Sequence, residues 1–152
     1  LASMVQSNKK AADCLRSFGS KACTDVTGFG LLGHLVEMTR PSGVDAELDL
    51  SAIPILPGAE ETAAAGILSS LQPANIRLRR GIRDQEKWVK HPRYALIFDP
   101  QTAGGLLASV SADKAEDCVR ELKALGYPHT AIIGRVLPQD ESGPIEPITL
   151  RE

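Results

Sequence analysis

Seven residues, VDAELDL (44–50), put an apolar side chain at every second position: Val44, Ala46, Leu48 and Leu50. A period of two belongs to a strand with one face in the core and one in solvent. Elsewhere the apolar positions recur with helical spacing. Over 28–39 the stripe is Phe29, Leu32, Leu35, Val36 and Thr39, and over 112–125 it is Ala115, Cys118, Val119, Leu122 and Leu125. A sheet covered by helices satisfies both periods, so the chain is expected to form an α/β domain.

The other elements are placed around these. A helix is expected over 4–18, with Ala11, Leu15 and Phe18 on one face and Gly19 as its stop, followed by a short strand at 21–24. Pro54 and Pro57 bracket a loop, and Pro57 opens a third helix with Glu60 and Glu61 in its first turn and Gly66 near its end. Pro73, Gly81 and Pro92 break up 67–92, which predicts a long irregular connection holding one short helix. YALIF (94–98) and LLASV (106–110) read as neighbouring strands, antiparallel about DPQTAGG. Ser111 caps the helix over 112–125 and Gly126 ends it. TAIIGRVL (130–137) reads as a buried strand reached by a crossover from 106–110. The tail, 138–152, adds an edge strand at 145–150. The expected product is one α/β (α+β-like) domain, 1–152, with a mixed β-sheet packed against helices.

At 152 residues, 43% hydrophobic and 24% charged, the chain is long and apolar enough for one core without staples. A net charge of −2 argues against nucleic acid or an anionic membrane as partner. The opening LASMVQSNKK has no apolar signal core, and no run reaches membrane-spanning length. Cys14, Cys23 and Cys118 fit neither a disulfide framework nor a zinc site, which favours a cytoplasmic home. The chain starts at Leu1 and not at Met, which fits either a piece of a longer protein or the scar of a tag, and it is taken as a fragment.

Chemistry is concentrated in ACTDVTGFGLLGHL (22–35). Asp25 stands just before a helix start. It has two uses there: capping the helix, a service Thr27 also offers, or binding Mg²⁺, which prefers oxygen ligands. Gly28, Gly30 and Gly33 match G-x-G-x-x-G literally, but the preceding strand is short and no acidic ribose partner follows. Gly33 is expected to let another helix approach. His34 reads as a packed, hydrogen-bonded residue, and His91 and His129 as solvated loop residues. The loop Asp99–Gly105 leaves an apolar segment, where α/β proteins often place binding groups. Arg77, Arg79, Arg80 and Arg83 read as a solvated basic face. Cys14 and Cys118 lie on helix stripes and belong in the core. No cysteine has a base near it in sequence, and no catalytic residue is visible.

TDVTGFGLLGH (24–34) followed by DPQTAGGLL (99–107) resembles the C-terminal domain of the selenophosphate synthetase (selenide, water dikinase) family. GVDAELDLSAIPILPGAEE (43–61), the helix over 112–125 and TAIIGRV (130–136) resemble it too, so the likeness runs from about residue 6 to 137. The shorter core of the first motif is shared more loosely with aminoimidazole-ribonucleotide synthetases, thiamine-phosphate kinases and hydrogenase-maturation proteins.

The resemblance implies the C-terminal domain fold of that superfamily. It implies an enzyme that makes selenophosphate, AMP and phosphate from ATP, selenide and water. Family members dimerise, mainly through an N-terminal ATP-binding domain that carries the catalytic Cys or selenocysteine, a lysine and most of the Mg²⁺ ligands. Nothing in this chain matches that domain. Asp25 is the one position carried over, as a Mg²⁺ ligand from the C-terminal half, and the isolated chain is expected to be inactive. Two departures stand out. Ala103 replaces a serine common in DPQTSGG, and SSLQPAN (69–75) stands where some members have Gly-Gly-Thr before an asparagine, which leaves Asn75 outside the expected site. Two other readings compete. One is a non-catalytic interaction module fused to a flavin- or NAD-dependent oxidoreductase. The other is the same domain of a sibling ATP-using enzyme.

Overall fold

The computed structural model describes residues 2–152. Five helices and five strands are arranged in two packed units. Helix α1 is Lys9–Ser17, β1 is Ala22–Asp25, α2 is Gly30–Ser42 and β2 is Val44–Asp49. Two short helices follow, α3 at Ala59–Ala64 and α4 at Gln72–Asn75, and then β3 at Leu106–Ser109. Helix α5 is Ala115–Ala124, β4 is Gly134–Pro138 and β5 is Ile148–Arg151.

Strand β2 is the centre of a three-stranded mixed sheet, antiparallel to β4 and parallel to β5. Its alternation points Ala46 and Leu48 inward, and Leu50 continues the series just beyond the strand. They meet Leu32 and Val36 of α2 together with Ile97, Phe98, Ile148 and Leu150. Burying side chains of this size stabilises the fold by about 1.5–3 kcal/mol each. The second unit is an antiparallel ribbon of β1 and β3, with Cys23 opposite Ala108 and Asp25 opposite Leu106. A two-strand ribbon is marginal alone. Here Leu106 and Ala108 lie against a second core of Ala11, Cys14 and Leu15 from α1 with Cys118 and Leu122 from α5.

Several expectations are corrected. YALIF is not a strand: Ala95–Phe98 is a 3-10 turn. Tyr94, Ile97 and Phe98 are the buried members, a helical i, i+3, i+4 set, and Tyr94 meets Phe98 edge-on at 5.1 Å. Strand β3 therefore pairs with β1, not with 94–98. Strands β3 and β4 lie in different sheets, so no crossover joins them within one sheet. TAIIGRVL is strand only from Gly134, and β4 is an exposed edge ending in Pro138, a residue that edges tolerate. Phe29 is 59% exposed and is not part of the α2 core stripe. Ser111 makes no side-chain cap; a 3-10 turn at Ala112–Lys114 leads into α5 instead. The irregular 67–92 segment holds one short helix, α4, with 3-10 turns at Ile76–Gly81 and Gln85–Lys87.

Candidate functional site

The two motif stretches meet in space. Asp25 ends β1, and the chain then turns through Val26–Phe29 into α2. The DPQTAGG loop lies along this turn. Val26 donates its N–H to the Gly105 carbonyl at 2.9 Å, and Gln101 donates its N–H to the Thr27 carbonyl at 3.0 Å. The same Thr27 carbonyl accepts the Gly30 N–H at 3.1 Å. A Cβ on Gly104 would run into the Val26 carbonyl oxygen, so only glycine fits where the loop crosses β1. Asn8 closes the far side, donating from its amide to the Gly104 carbonyl at 3.1 Å.

Two side chains complete the turn. His34 in α2 accepts the Thr27 N–H on Nε2 at 3.0 Å, and the Thr27 hydroxyl lies 3.1 Å from the same atom. Since Nε2 accepts, the ring proton is assigned to Nδ1. Nδ1 sits 3.3 Å from the Glu37 carboxylate but has no aligned hydrogen-bond partner. Asn75, at the end of α4, donates its amide to the Gly28 carbonyl at 2.7 Å and to the Phe98 carbonyl at 3.0 Å. His34 is thus packed and hydrogen-bonded as expected. Sequence reasoning left Asn75 aside because SSLQPAN departs from Gly-Gly-Thr, and the asparagine that follows in some family members was its one signal.

Asp25 itself is exposed. Helix α2 has no side-chain cap, so neither Asp25 nor Thr27 serves the capping use. Among the described residues no ion pair or side-chain hydrogen bond engages the Asp25 carboxylate. No group of three or more His, Cys, Asp or Glu side chains that could hold a metal occurs among them either. Two surface hollows, of about 170 and 400 Å³, lie at the C-terminal end of α2 and between α1 and α5, and Asp25 lines neither.

The remaining candidates are placed elsewhere. Asp99 holds the Gln101 amide at 2.8 Å, and burial pushes its carboxyl above the usual range against the effect of that bond. Partial desolvation, followed by the negative charge of Asp25, pushes the Cys23 thiol up, which disfavours its thiolate. Arg83 is not part of a solvated face: it pairs with buried Asp45 at 2.6 Å and donates to the Glu146 carbonyl. Arg77, Arg79 and Arg80 are exposed as expected. His91 is also corrected, since its Nδ1 accepts the Arg93 N–H at 3.1 Å beside Trp88; His129 is exposed. Gly33 faces Phe29 and Leu78, so the close neighbour there is the 3-10 turn at Ile76–Gly81.

The family model described as AIR synthase related protein, C-terminal domain, matches residues 2–145. Among the similar proteins, one from Caldanaerobacter subterraneus subsp. tengcongensis named "Selenide, water dikinase" is 42% identical over 137 residues, covering 88% of this chain and 39% of that protein. A protein of the same name from Clostridioides difficile is 37% identical over 138 residues, covering 91% of this chain and 40% of its own length. A third, from Treponema denticola, is 40% identical over 143 residues, covering 88% and 39%. This chain therefore spans about two fifths of the length of the curated relatives it matches.

Proposed function

This chain belongs to the AIR synthase related protein family as its C-terminal domain, and from that membership we propose that it is the C-terminal part of a selenide, water dikinase. Its role is to present Asp25 as one carboxylate of a Mg²⁺ site whose other ligands, with most of the ATP-binding groups, come from an N-terminal domain outside this chain. The full-length protein then makes selenophosphate, AMP and phosphate from ATP, selenide and water. It works as a cytoplasmic homodimer, on the strength of the family resemblance.

The observation that carries this reading is the state of the Asp25 carboxylate. It is exposed, engaged in no ion pair or cap among the described residues, and mounted on backbone tied down by the DPQTAGG loop, His34 and Asn75. The residues present fit one ligand of a divalent-cation site and not a whole one. Mg²⁺ is usually held by one or two carboxylates together with waters and phosphates, so a single Asp per domain is a reasonable share. When bound, the metal neutralises charge on the phosphate oxygens. What this chain adds is position: β1 fixes the backbone of Asp25 against Leu106, and hydrogen bonds from the DPQTAGG loop, His34 and Asn75 close the turn behind it.

The test is Asp25→Asn in the full-length protein. AMP formation from ATP and selenide should fall by about 100-fold or more, the scale of a lost catalytic charge contact, with the melting temperature unchanged. Near-parental turnover refutes the metal role. In parallel, the 152-residue chain alone should form no AMP; measurable AMP would refute the shared-site reading.

A further inference from the structure

We propose that His34 and Asn75 are positioning residues for Asp25, a two-sided clasp that holds the Val26–Thr27 peptide by its N–H and the Gly28–Phe29 peptide by its carbonyl, and so sets the direction in which the Asp25 carboxylate points. The proposal rests on the reading of Asp25 as a metal ligand and adds what holds it still.

The reasoning starts from the backbone groups of the turn. Asp25 is the last residue paired in the ribbon, and the Val26 N–H still finds the Gly105 carbonyl. Beyond that the ladder ends. The Thr27 N–H and the Gly28 carbonyl have no strand partner, and on a surface turn water would ordinarily serve both. Here they are served by two side chains, 7 and 47 residues away in the chain. Both are buried, His34 at 5% and Asn75 at 7% exposure. Burying an imidazole and a carboxamide gains far less than burying Leu or Phe, and each must keep its hydrogen bonds to be tolerated.

His34 shows which bond sets its orientation. Its Nε2 is aligned on Thr27 while Nδ1 is left without an aligned partner, although the Glu37 carboxylate is 3.3 Å away. A histidine present only for packing would turn to satisfy Nδ1. Asn75 spends one amide nitrogen on two carbonyls, Gly28 of the TGFG turn and Phe98 just before the DPQTAGG loop. It therefore registers the two motif loops against each other. A carboxylate that must meet a metal has a positional tolerance of about 0.5 Å, and a turn free to exchange its hydrogen bonds with water would exceed it.

The experiment uses the full-length protein with four variants. His34→Phe keeps a ring and removes the acceptor. His34→Gln keeps an acceptor near the Nε2 position. Asn75→Asp keeps the shape and turns both donors into acceptors facing carbonyls. Asp25→Asn is the reference for the metal reading. Two readouts are taken. The first is amide hydrogen exchange without metal, where His34→Phe and Asn75→Asp should speed exchange across residues 26–30 by about tenfold or more, with β2 unchanged and His34→Gln near the parent. The second is the Mg²⁺ dependence of AMP formation. There the same two variants should raise half-saturating Mg²⁺ by about tenfold or more while kcat recovers at high Mg²⁺, and His34→Gln should stay within about threefold.

Exchange over 26–30 unchanged in the folded variants overturns the clasp. So does faster exchange spread evenly into β2, or His34→Gln behaving like His34→Phe, since either means a merely structural role. If Asp25→Asn has parental Mg²⁺ dependence, the metal reading has failed. If Asp25→Asn is impaired but the clasp variants titrate like the parent, only the positioning has failed. Should His34→Phe not fold, His34→Asn, whose shorter amide cannot reach Thr27, replaces it in the comparison with His34→Gln.

Discussion

Replacing Gly30 by alanine tests the account of the TGFG turn most directly. Gly30 opens α2 with φ of +70°, in the left-handed region. A Cβ added there would lie 2.8 Å from the Phe98 carbonyl carbon and 3.0 Å from the carbonyl oxygens of Asp99 and Ile97. All three are backbone atoms, so no side chain can swing aside. The left-handed conformation costs a non-glycine residue about 1–2 kcal/mol, and forcing extra volume into a packed site costs about 1–3 kcal/mol. The two together predict a loss of about 2–5 kcal/mol, which at about 2–4 °C per kcal/mol for a chain of this size lowers the melting temperature by about 4–20 °C. Gly28→Ala is the internal control, because φ there is not positive and an added Cβ meets nothing within 4 Å. It should stay within about 1 kcal/mol of the parent. Gly33→Ala should fall between them. Its Cβ would crowd Phe29 and Leu78, but alanine returns about 0.5–1 kcal/mol of helix propensity. Urea denaturation followed by far-ultraviolet circular dichroism gives all three values, with m unchanged if only stability moves. A Gly30→Ala loss under about 1 kcal/mol, or a Gly28→Ala loss equal to it, would show that the glycines are not doing what the geometry says.

Thiol labelling and acid titration give two further checks. Cys23 is exposed while Cys14 and Cys118 are buried against each other's helices, so a disulfide reagent should modify one thiol quickly and two only on unfolding. All three are pushed above the ordinary cysteine range, mainly by burial, so the labelling rate should keep rising with pH beyond that range; a plateau at neutral pH would contradict this. The Glu47 carboxyl is held below its ordinary value of 4.5 by hydrogen bonds from Arg135 and then Arg151. A depressed acid stabilises the fold above its unfolded value and loses that contribution as pH falls through the folded value. Glu47→Gln should therefore flatten the acid limb of the urea midpoint below about pH 4.5, and an unchanged limb would show that the two arginines do not act on it.

Much of the frame was legible because it depends on local period. The alternation through Val44–Leu50 identified β2, and the 3.6-residue stripes identified α2 and α5 within a few residues of their ends. YALIF failed because five apolar residues fit a strand or a tight turn equally well, and only the shape of the core around Tyr94, Ile97 and Phe98 decides. TAIIGRV failed in burial, since its apolar look does not show that Ile132, before the strand, and Val136, on it, face outward. Arg83 alone of the four clustered arginines was misjudged, because charge alone looks solvated. Arg83 is committed to Asp45, and Arg93 spans Glu60 and the carbonyls of Leu50, Ser51 and Ile53. In the site, Asp25 was visible as a lone acid before a helix. What holds it was not, because Gly105, Gln101 and Asn75 reach the turn only through long-range folding.

The support beneath Asp25 narrows what it is for. Asp45 and Glu47 in β2 and Glu60 in α3 are each met by a guanidinium at 2.7 Å or closer. Among the described residues Asp25 has no such partner, and neither do Asp49, Glu61, Glu116 and Glu121, so it is the backbone beneath Asp25 that sets it apart. A solvated surface carboxylate costs the fold nothing and needs no support, so an idle Asp25 would sit on ordinary backbone. Instead the residues behind it break local rules. A left-handed Gly30 opens the helix, a buried histidine keeps one nitrogen unpaired, a buried asparagine amide bridges two loops, and Gly104 is pressed against the Val26 carbonyl. Departures from local preference tend to gather where function requires them. Locally unfavourable support beneath a carboxylate that no described residue engages is the arrangement of a ligand held ready for a group outside the chain.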